Sequence, residues 1–209
     1  MDPFAAPLRT EGQLRELYGD AAERAWRKDV GRLDEIAAAL IGAAPMVLVA
    51  SHGPDGRTDV TPRGGPPGFV TVLDEHHLAI PDATGNKRLD TLRNVVATGR
   101  AGLLFLIPGR DQTLRVNGPA CVTAAPDVLA ALTPVGKAPV TAIVVRAEEV
   151  FTHCPKAFVR SRLWDPATWP AAADVPSPAE ATLAHLRDPT RTLADEERYQ
   201  AEALTHRLR

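Results

Sequence analysis

The stretch MVLVASHGPDGRTDVTP, residues 46–62, decides the fold. Its first six residues, 46–51, form a short apolar run that is typical of a buried strand. The turn HGPDG follows at 52–56, and its Asp55-Gly56 pair is a hairpin signal because such residues adopt the positive φ angles of tight turns. We therefore expect residues 57–62 to return as the antiparallel partner of the first strand.

The same alternation of apolar runs and tight turns continues on the C-terminal side of this hairpin. Further strands are predicted at GFVTVL (68–73), HLAIP (77–81), AGLLFLIPG (101–109), TLRVNGPACVTA (113–124) and PVTAIVVRAEEVF (139–151). Gly118-Pro119 is expected to mark a bulge or an edge. Short turns make neighbouring strands antiparallel, and strands and helices do not alternate regularly. The pattern therefore predicts a mainly β fold with flanking helices, built as a small antiparallel Greek-key barrel.

Helical patterns flank and interrupt these strands. Thr10 and Gln13 have capping-box spacing. A stronger helix is predicted from about Asp29 until Pro45 stops it, because its apolar residues recur at helical spacing. Shorter helices are predicted around 89–96, at 125–132 and at 155–164. We divide the chain into N-terminal helices (1–44), a barrel domain (45–165) and a Pro-rich, helical C-terminal tail (166–209).

Composition excludes several classes of function. The chain has 24 Lys and Arg residues against 26 Asp and Glu residues, a formal charge of −2, which argues against a protein held mainly on nucleic-acid phosphates. The longest uncharged, largely apolar run, residues 36–50, is too short to span a membrane and contains Gly42 and Pro45. No basic region followed by an apolar stretch opens the chain. We therefore expect a cytoplasmic protein in which Cys121 and Cys154 are reduced.

Two basic segments are candidates for binding a phosphate. In DVTPRGGPPGF (59–69), glycines and prolines flank Arg63, whose guanidinium suits a two-pronged contact with phosphate. In the second segment, Asn86, Lys87 and Arg88 stand where a helix is expected to begin. Cations there oppose the helix dipole, a conflict that a bound anion would remove. A stiff loop and a solvated helix start, with Asp90 balancing the cations, are the alternatives without a ligand.

Two other segments carry polar groups at positions that suit a cofactor. The strand LRVNG places Arg115 and Asn117 on one face, which either meets water or lines a slot. HCPKAFVRSRLW (153–164) gathers Ser161, Arg162 and Trp164 close to further basic residues. Adjacent His and Cys without a second ligand pair do not have metal-site spacing, so we expect no metal. No catalytic acid or base is identifiable.

Taken in this order, the motifs DVTPRGGPPGF, IPDATGNKRLDTLRN, LLFLIPG, LRVNG and HCPKAFVRSRLW resemble the pyridoxamine 5′-phosphate oxidase-like flavoproteins. The resemblance covers about Leu33 to Trp164. Within the family, the sequence is most similar to a bacterial subgroup without a characterised activity. It implies an FMN-binding split barrel of six antiparallel strands. It also implies a homodimer with FMN at the subunit interface.

The resemblance also implies roles for individual residues. The FMN phosphate would be held from the strand around Thr61 and Arg63 and from the basic cluster 86–88. Arg115 and Asn117 would lie near the isoalloxazine ring. Ser161, Arg162 and Trp164 would approach from the C-terminal side.

The resemblance predicts an FMN-dependent oxidoreductase that acts on a small molecule. The Arg-x-His substrate pattern of true pyridoxamine phosphate oxidases is not recognisable, which argues against a vitamin B6 substrate. Relatives on this fold also include reductases that use the deazaflavin F420, and haem-handling proteins. An F420-dependent reductase and a non-catalytic flavin or haem carrier are therefore the alternatives.

Overall fold

The computed structural model describes residues 2, 4–83 and 85–207, with the side chains of 206 and 207 left out. Eight α-helices lie in this part of the chain: α1 Glu11–Tyr18, α2 Glu23–Arg27, α3 Glu35–Ala43, α4 Asp90–Thr98, α5 Pro126–Ala130, α6 Lys156–Ser161, α7 Pro178–Leu186 and α8 Leu193–Arg207. The strands described are β1 Met46–His52, β2 Thr58–Gly64, β3 Thr71–Val72, β4 His77–Asp82, β5 Arg100–Leu106, β6 Leu114–Thr123, β7 Thr141–Arg146 and β8 Glu149–Thr152.

The strands form one curled antiparallel sheet in the order β2-β1-β5-β6-β7-β4-β3, with β8 also paired to β6. The predicted hairpin is confirmed, since β1 and β2 pair from Met46↔Gly64 to His52↔Thr58. The mainly β class and the antiparallel barrel architecture are likewise confirmed. The resemblance implied six strands, whereas the described residues contain eight. This count includes the two-residue strand β3, and the last predicted strand is divided into β7 and β8.

The long strand β6 connects the two halves of the sheet. Its first part pairs with β5 and β8, and its second part pairs with β7. The change of partner occurs at Gly118-Pro119, where the sequence predicted a bulge or an edge. A Cβ atom on Gly118 would lie 1.9 Å from the carbonyl oxygen of Arg146, so this approach of two backbones requires glycine.

The prediction of one strand over 139–151 is wrong, because the chain bends between Arg146 and Glu149 into β7 and β8. At this bend the backbone N–H of Glu148 donates to the carbonyl of Asn117. Because of this bend, β8 pairs with the first part of β6 and β7 pairs with its second part. The second hairpin is also shorter than predicted, since only Thr71 and Val72 of the run 68–73 pair with β4.

The core lies inside the curl of the sheet and is covered by α3 and α4. Alternate residues of the strands point inward, as in β1, where Val47 and Val49 are fully buried. Helix α3 begins at Glu35 rather than near Asp29, because the Asp34 side chain accepts the Ala37 N–H at 2.8 Å and caps it there. The predicted helix start at Asp29 is therefore wrong.

Asp29 has a different role at the edge of β8. Its carboxylate accepts the backbone N–H of Val150 at 2.7 Å, and the N–H of Val30 donates to the carbonyl of Val150. The chain before α3 is thus fastened to the barrel along β8.

The C-terminal segment forms two short 3₁₀ turns and then the hairpin of α7 and α8, which pack against each other. In this hairpin Glu196 is buried, pairs with Arg191 at 2.8 Å and accepts from Gln200 at 3.1 Å. Among the described residues, no helix is long and apolar enough to cross a bilayer.

Candidate cofactor site

The edge strand β2 separates two cavities of the barrel. Thr61 and Arg63 stand opposite the buried residues of β1 and line a cleft of about 810 Å³ on the inner side of the sheet. Val60 stands opposite Ala50 and faces the outer side, where a groove of about 730 Å³ runs over β1, β5 and β6. Because successive side chains of a strand point to opposite faces, adjacent residues of β2 line different cavities.

Arg63 forms the wall of the inner cleft, which we call the basic cleft. Its Nη1 donates to the Thr61 hydroxyl at 3.0 Å and to the Pro62 carbonyl at 3.2 Å. Its Nε lies 3.4 Å from Oδ1 of Asp82, an ion-pair distance. This Nε is nevertheless buried and has no hydrogen-bond partner among the described residues. A buried donor left unpaired costs about 1–3 kcal/mol, so the site favours an acceptor that would pair with it.

Asp82 stands beside Arg63 in the same cleft. Burial raises the pKa of the Asp82 carboxyl, and the charge of Arg63 lowers it in part. Burial is the larger effect, and Arg63 is the cation that favours the charged form of this carboxyl. Sequence reasoning missed Asp82, because nothing in HLAIPD distinguishes a carboxylate at the end of a strand from a solvated one.

The basic cluster 86–88 lies in the turn before α4, and the helix itself begins at Asp90. Lys87 and Leu89 have φ angles of 63° and 61°, a left-handed conformation that is unusual for residues with side chains. The Asn86 side chain accepts the Arg88 N–H at 3.0 Å. No side chain caps α4, so the first backbone N–H groups of the helix are open to an acceptor at the cleft.

The two cations of this cluster differ in their partners. Arg88 donates to Asp90 at 2.7 Å, and this contact raises the pKa of Arg88. The sequence alternative in which Asp90 balances a cation therefore holds for Arg88. Within the described residues, the Lys87 ammonium has no acidic partner. Lys137, from the loop before β7, also lines the cleft and was not predicted, because its position depends on a distant connection.

A polar network fastens α4 to the hairpin that carries Arg63. The Thr91 hydroxyl donates to Asp59 at 2.7 Å, and the Ser51 hydroxyl donates to the same carboxylate at 3.4 Å. Asn94 donates in turn to Ser51 at 3.1 Å. Ser51 and Thr91 are buried. The network therefore keeps the start of α4 in a fixed position relative to β2, across the basic cleft.

Arg115 and Asn117 lie on the other side of the sheet, in the outer groove. Leu114 and Val116 are buried in the core, so the predicted division of faces along β6 is confirmed. Asn117 donates to Glu149 at 2.7 Å, and Arg115 lies 3.5 Å from the same carboxylate. Apolar residues of the neighbouring strands also line the groove, namely Leu48, Ala50, Val60 and Leu104.

Ser161, Arg162 and Trp164 line neither cavity in the single chain. The Ser161 hydroxyl donates to the carbonyl of Phe158, and Arg162 pairs with Asp165. The Trp164 indole stacks on Phe158 and donates to the carbonyl of Arg110 at 2.9 Å. The ten predicted residues thus fall into three places: five in the basic cleft, two in the outer groove and three around α6.

Comparison with known proteins identifies a family for the barrel. A family model described as pyridoxamine 5′-phosphate oxidase matches residues 33–154, more than half of the chain. Comparison with curated proteins gives no match.

Several solved structures are similar to part of this chain. HupZ from Group A Streptococcus is 17% identical with a TM-score of 0.46, and the match covers 55% of this chain and 89% of that one. An F420 reductase is 22% identical with a TM-score of 0.39, covering 55% and 94%. A Clostridium acetobutylicum protein of the pyridoxinephosphate oxidase family is 14% identical with a TM-score of 0.40, covering 55% and 89%.

Proposed function

Because the chain belongs to the pyridoxamine 5′-phosphate oxidase family, we propose that it is a flavin-dependent oxidoreductase that binds FMN between two copies of itself. The observation that carries the proposal is the buried Arg63 Nε, a charged donor without a hydrogen-bond partner among the described residues. A phosphate oxygen is the acceptor that best suits an arginine in a cleft with further cations.

The basic cleft has the donor set that a phosphate requires. Arg63, which is paired with Asp82, and Lys87, which has no acidic partner among the described residues, supply positive charge, and Thr61 and Asn86 supply neutral polar groups. Arg88 shares its charge with Asp90 and would contribute less than Lys87. The uncapped start of α4 adds backbone N–H groups and the positive end of the helix dipole. These residues would hold the phosphate of FMN.

The outer groove is the place proposed for the ring system. Its apolar floor suits a flat aromatic group, and Arg115 and Asn117 supply polar contacts at its edge. A second copy of the chain would cover this open groove and bring Ser161, Arg162 and Trp164 to the ring from its own α6 region. The two cavities lie on opposite sides of β2, so a cofactor that uses both passes around this edge strand.

Bound FMN would supply the hydride or electron transfer, while the protein determines its position and environment. The chain's part is to bind the phosphate in the basic cleft, to orient the ring on the sheet and to exclude water from it. Absorbance of the purified protein distinguishes flavin from haem. Mass spectrometry of the cofactor released by acid distinguishes FMN from F420, and release of F420 would contradict the proposal.

The assignment of the phosphate is tested with Lys87→Ala. A charge-assisted hydrogen bond contributes about 1.5–3 kcal/mol, and about 1.4 kcal/mol is a factor of ten. We therefore expect FMN affinity to fall by roughly ten- to a hundredfold. Riboflavin lacks the phosphate, so its affinity should remain the same. Flavin fluorescence titrations of both ligands make the comparison.

Arg93→Ala is the matched control, because Arg93 is an exposed cation on the same helix that does not line the cleft. It should leave both affinities unchanged. Equal losses for FMN and riboflavin in Lys87→Ala would indicate general destabilisation and would refute the assignment.

A further inference from the structure

Three basic side chains surround Phe151 at one end of the outer groove. The Lys28 ammonium lies 4.9 Å from the centre of the Phe151 ring, and the Arg115 guanidinium carbon lies 5.2 Å from it. The His153 ring is also 5.2 Å from Phe151, centre to centre. Arg115 pairs with Phe151 across β6 and β8, so these groups stand on the outer face of the sheet.

The charge of this cluster is not balanced by the described residues. Glu149 lies 3.5 Å from Arg115 but also accepts from Asn117 at 2.7 Å. Lys28 donates to the Thr152 carbonyl at 2.7 Å and has no acidic partner among the residues described. Among the described residues, Glu149 therefore pairs with Arg115, and Lys28 is left without an ion-pair partner.

The pKa of His153 is affected by the same two basic side chains. Burial lowers the pKa of His153, and the charges of Arg115 and Lys28 lower it further. Within the described part of the chain, the nitrogens of its ring have no hydrogen-bond partner. The imidazole is thus a free polar group at the wall of the groove, beside two cations.

The groove also offers space and an apolar surface beside these groups. Arg115 and His153 line it together with Leu48, Val60 and Leu104. Lys28 belongs to the segment before residue 33, where the match to the family begins. The cluster therefore combines groups of the barrel with a cation from this chain's own N-terminal segment.

We propose that this end of the groove binds the anionic group of an organic carboxylate or phosphate ester, held by Arg115, His153 and Lys28. The body of the same molecule would extend from this end into the groove, beside the flavin ring that we propose lies on the apolar floor. Resting on the proposed flavin function, we assign this anion as the charged group of the substrate. The substrate class is then an organic anion with an apolar part.

Benzoate and phenyl phosphate are the probes, and benzamide is the uncharged match for benzoate. Proton NMR of the full-length protein follows the His153 ring, whose resonance is assigned by its loss in His153→Gln. An opposite charge within about 4–6 Å favours the protonated imidazole. Saturating benzoate should therefore raise the His153 pKa by about 1, while benzamide leaves it unchanged. Comparing the two anions distinguishes a preference for carboxylate from one for phosphate.

Two variants test the cations. Lys28→Gln should weaken benzoate binding by about tenfold, the effect of one charge-assisted contact. Lys156→Gln, at an exposed lysine of α6, should bind benzoate like the wild type. Circular dichroism verifies that both variants are folded.

The proposal is overturned if benzoate does not saturate, if benzamide binds equally well, or if folded Lys28→Gln binds benzoate with unchanged affinity. These measurements are made without added flavin and repeated with FMN. Anion binding in a protein that takes no flavin would contradict the proposed function and leave the anion site intact. FMN binding without benzoate binding would support the proposed function and overturn the anion site.

Discussion

At the scale of single residues, Gly118 cannot take a side chain unless the surrounding backbone moves. An added Cβ would lie 1.9 Å from the Arg146 carbonyl oxygen, and the neighbouring Glu148 N–H belongs to the same bend. Both are backbone atoms, so Gly118→Ala must separate β6 from the connection between β7 and β8. We expect a loss of about 3 kcal/mol in the free energy of unfolding, measured with denaturant. Gly42→Ala is the control: apart from adjacent residues and the backbone of its own helix, nothing lies within 4 Å of its Cβ, and alanine in α3 should stabilise by about 0.5–1 kcal/mol. Unchanged stability in Gly118→Ala would mean that the bend relaxes freely.

At the scale of elements, the helical hairpin of α7 and α8 has its own network of contacts, and the family match ends at residue 154. Buried Glu196 joins Arg191 to Gln200, which also donates to Thr182. We propose that residues 166–209 form a tail that the barrel does not need. A chain shortened to residues 1–170 retains the bond from Trp164 to Arg110. Its midpoint of thermal unfolding should change by less than about 4 °C, or ~1 kcal/mol. Loss of the β signal in circular dichroism at every temperature would show that the tail is part of the fold.

At the scale of the whole molecule, the outer face of the sheet carries an exposed apolar surface. Val60 is 65% exposed, and Leu48 and Leu104 beside it are half-buried. We expect a C2 homodimer that buries more than about 1,000 Å² through this face. Val60→Lys should therefore convert the dimer to a monomer in light scattering at micromolar concentration. Val96→Lys is the control, because Val96 is 73% exposed on α4, away from this face. A wild-type protein that is monomeric with its cofactor bound would contradict the proposed site between two copies.

The sequence determined the local features of this fold. The β1–β2 hairpin and the opposite faces of Leu114 and Arg115 follow from turn residues and a period of two. The resemblance covers most of the barrel and identified the family. Five of the ten predicted site residues also share one cleft. The hairpin and the division of faces could be predicted because each depends on residues close together in the chain, whereas the grouping of residues 61–63 with 86–88 was implied by the resemblance.

Tertiary structure decided the features that depend on distant contacts. The predicted strand over 139–151 divides where the chain bends between Arg146 and Glu149 and the Glu148 N–H bonds to Asn117. Helix α3 starts late because Asp29 bonds to β8 while Asp34 caps the helix. Asp82 beside Arg63 and Lys28 over Phe151 join segments that no local pattern relates. The two cavities on either side of β2 exist only once the sheet curls. Burial, charge balance and unpaired donors are properties of such assembled surroundings, so the sequence could propose site residues but not the places that they occupy in the fold.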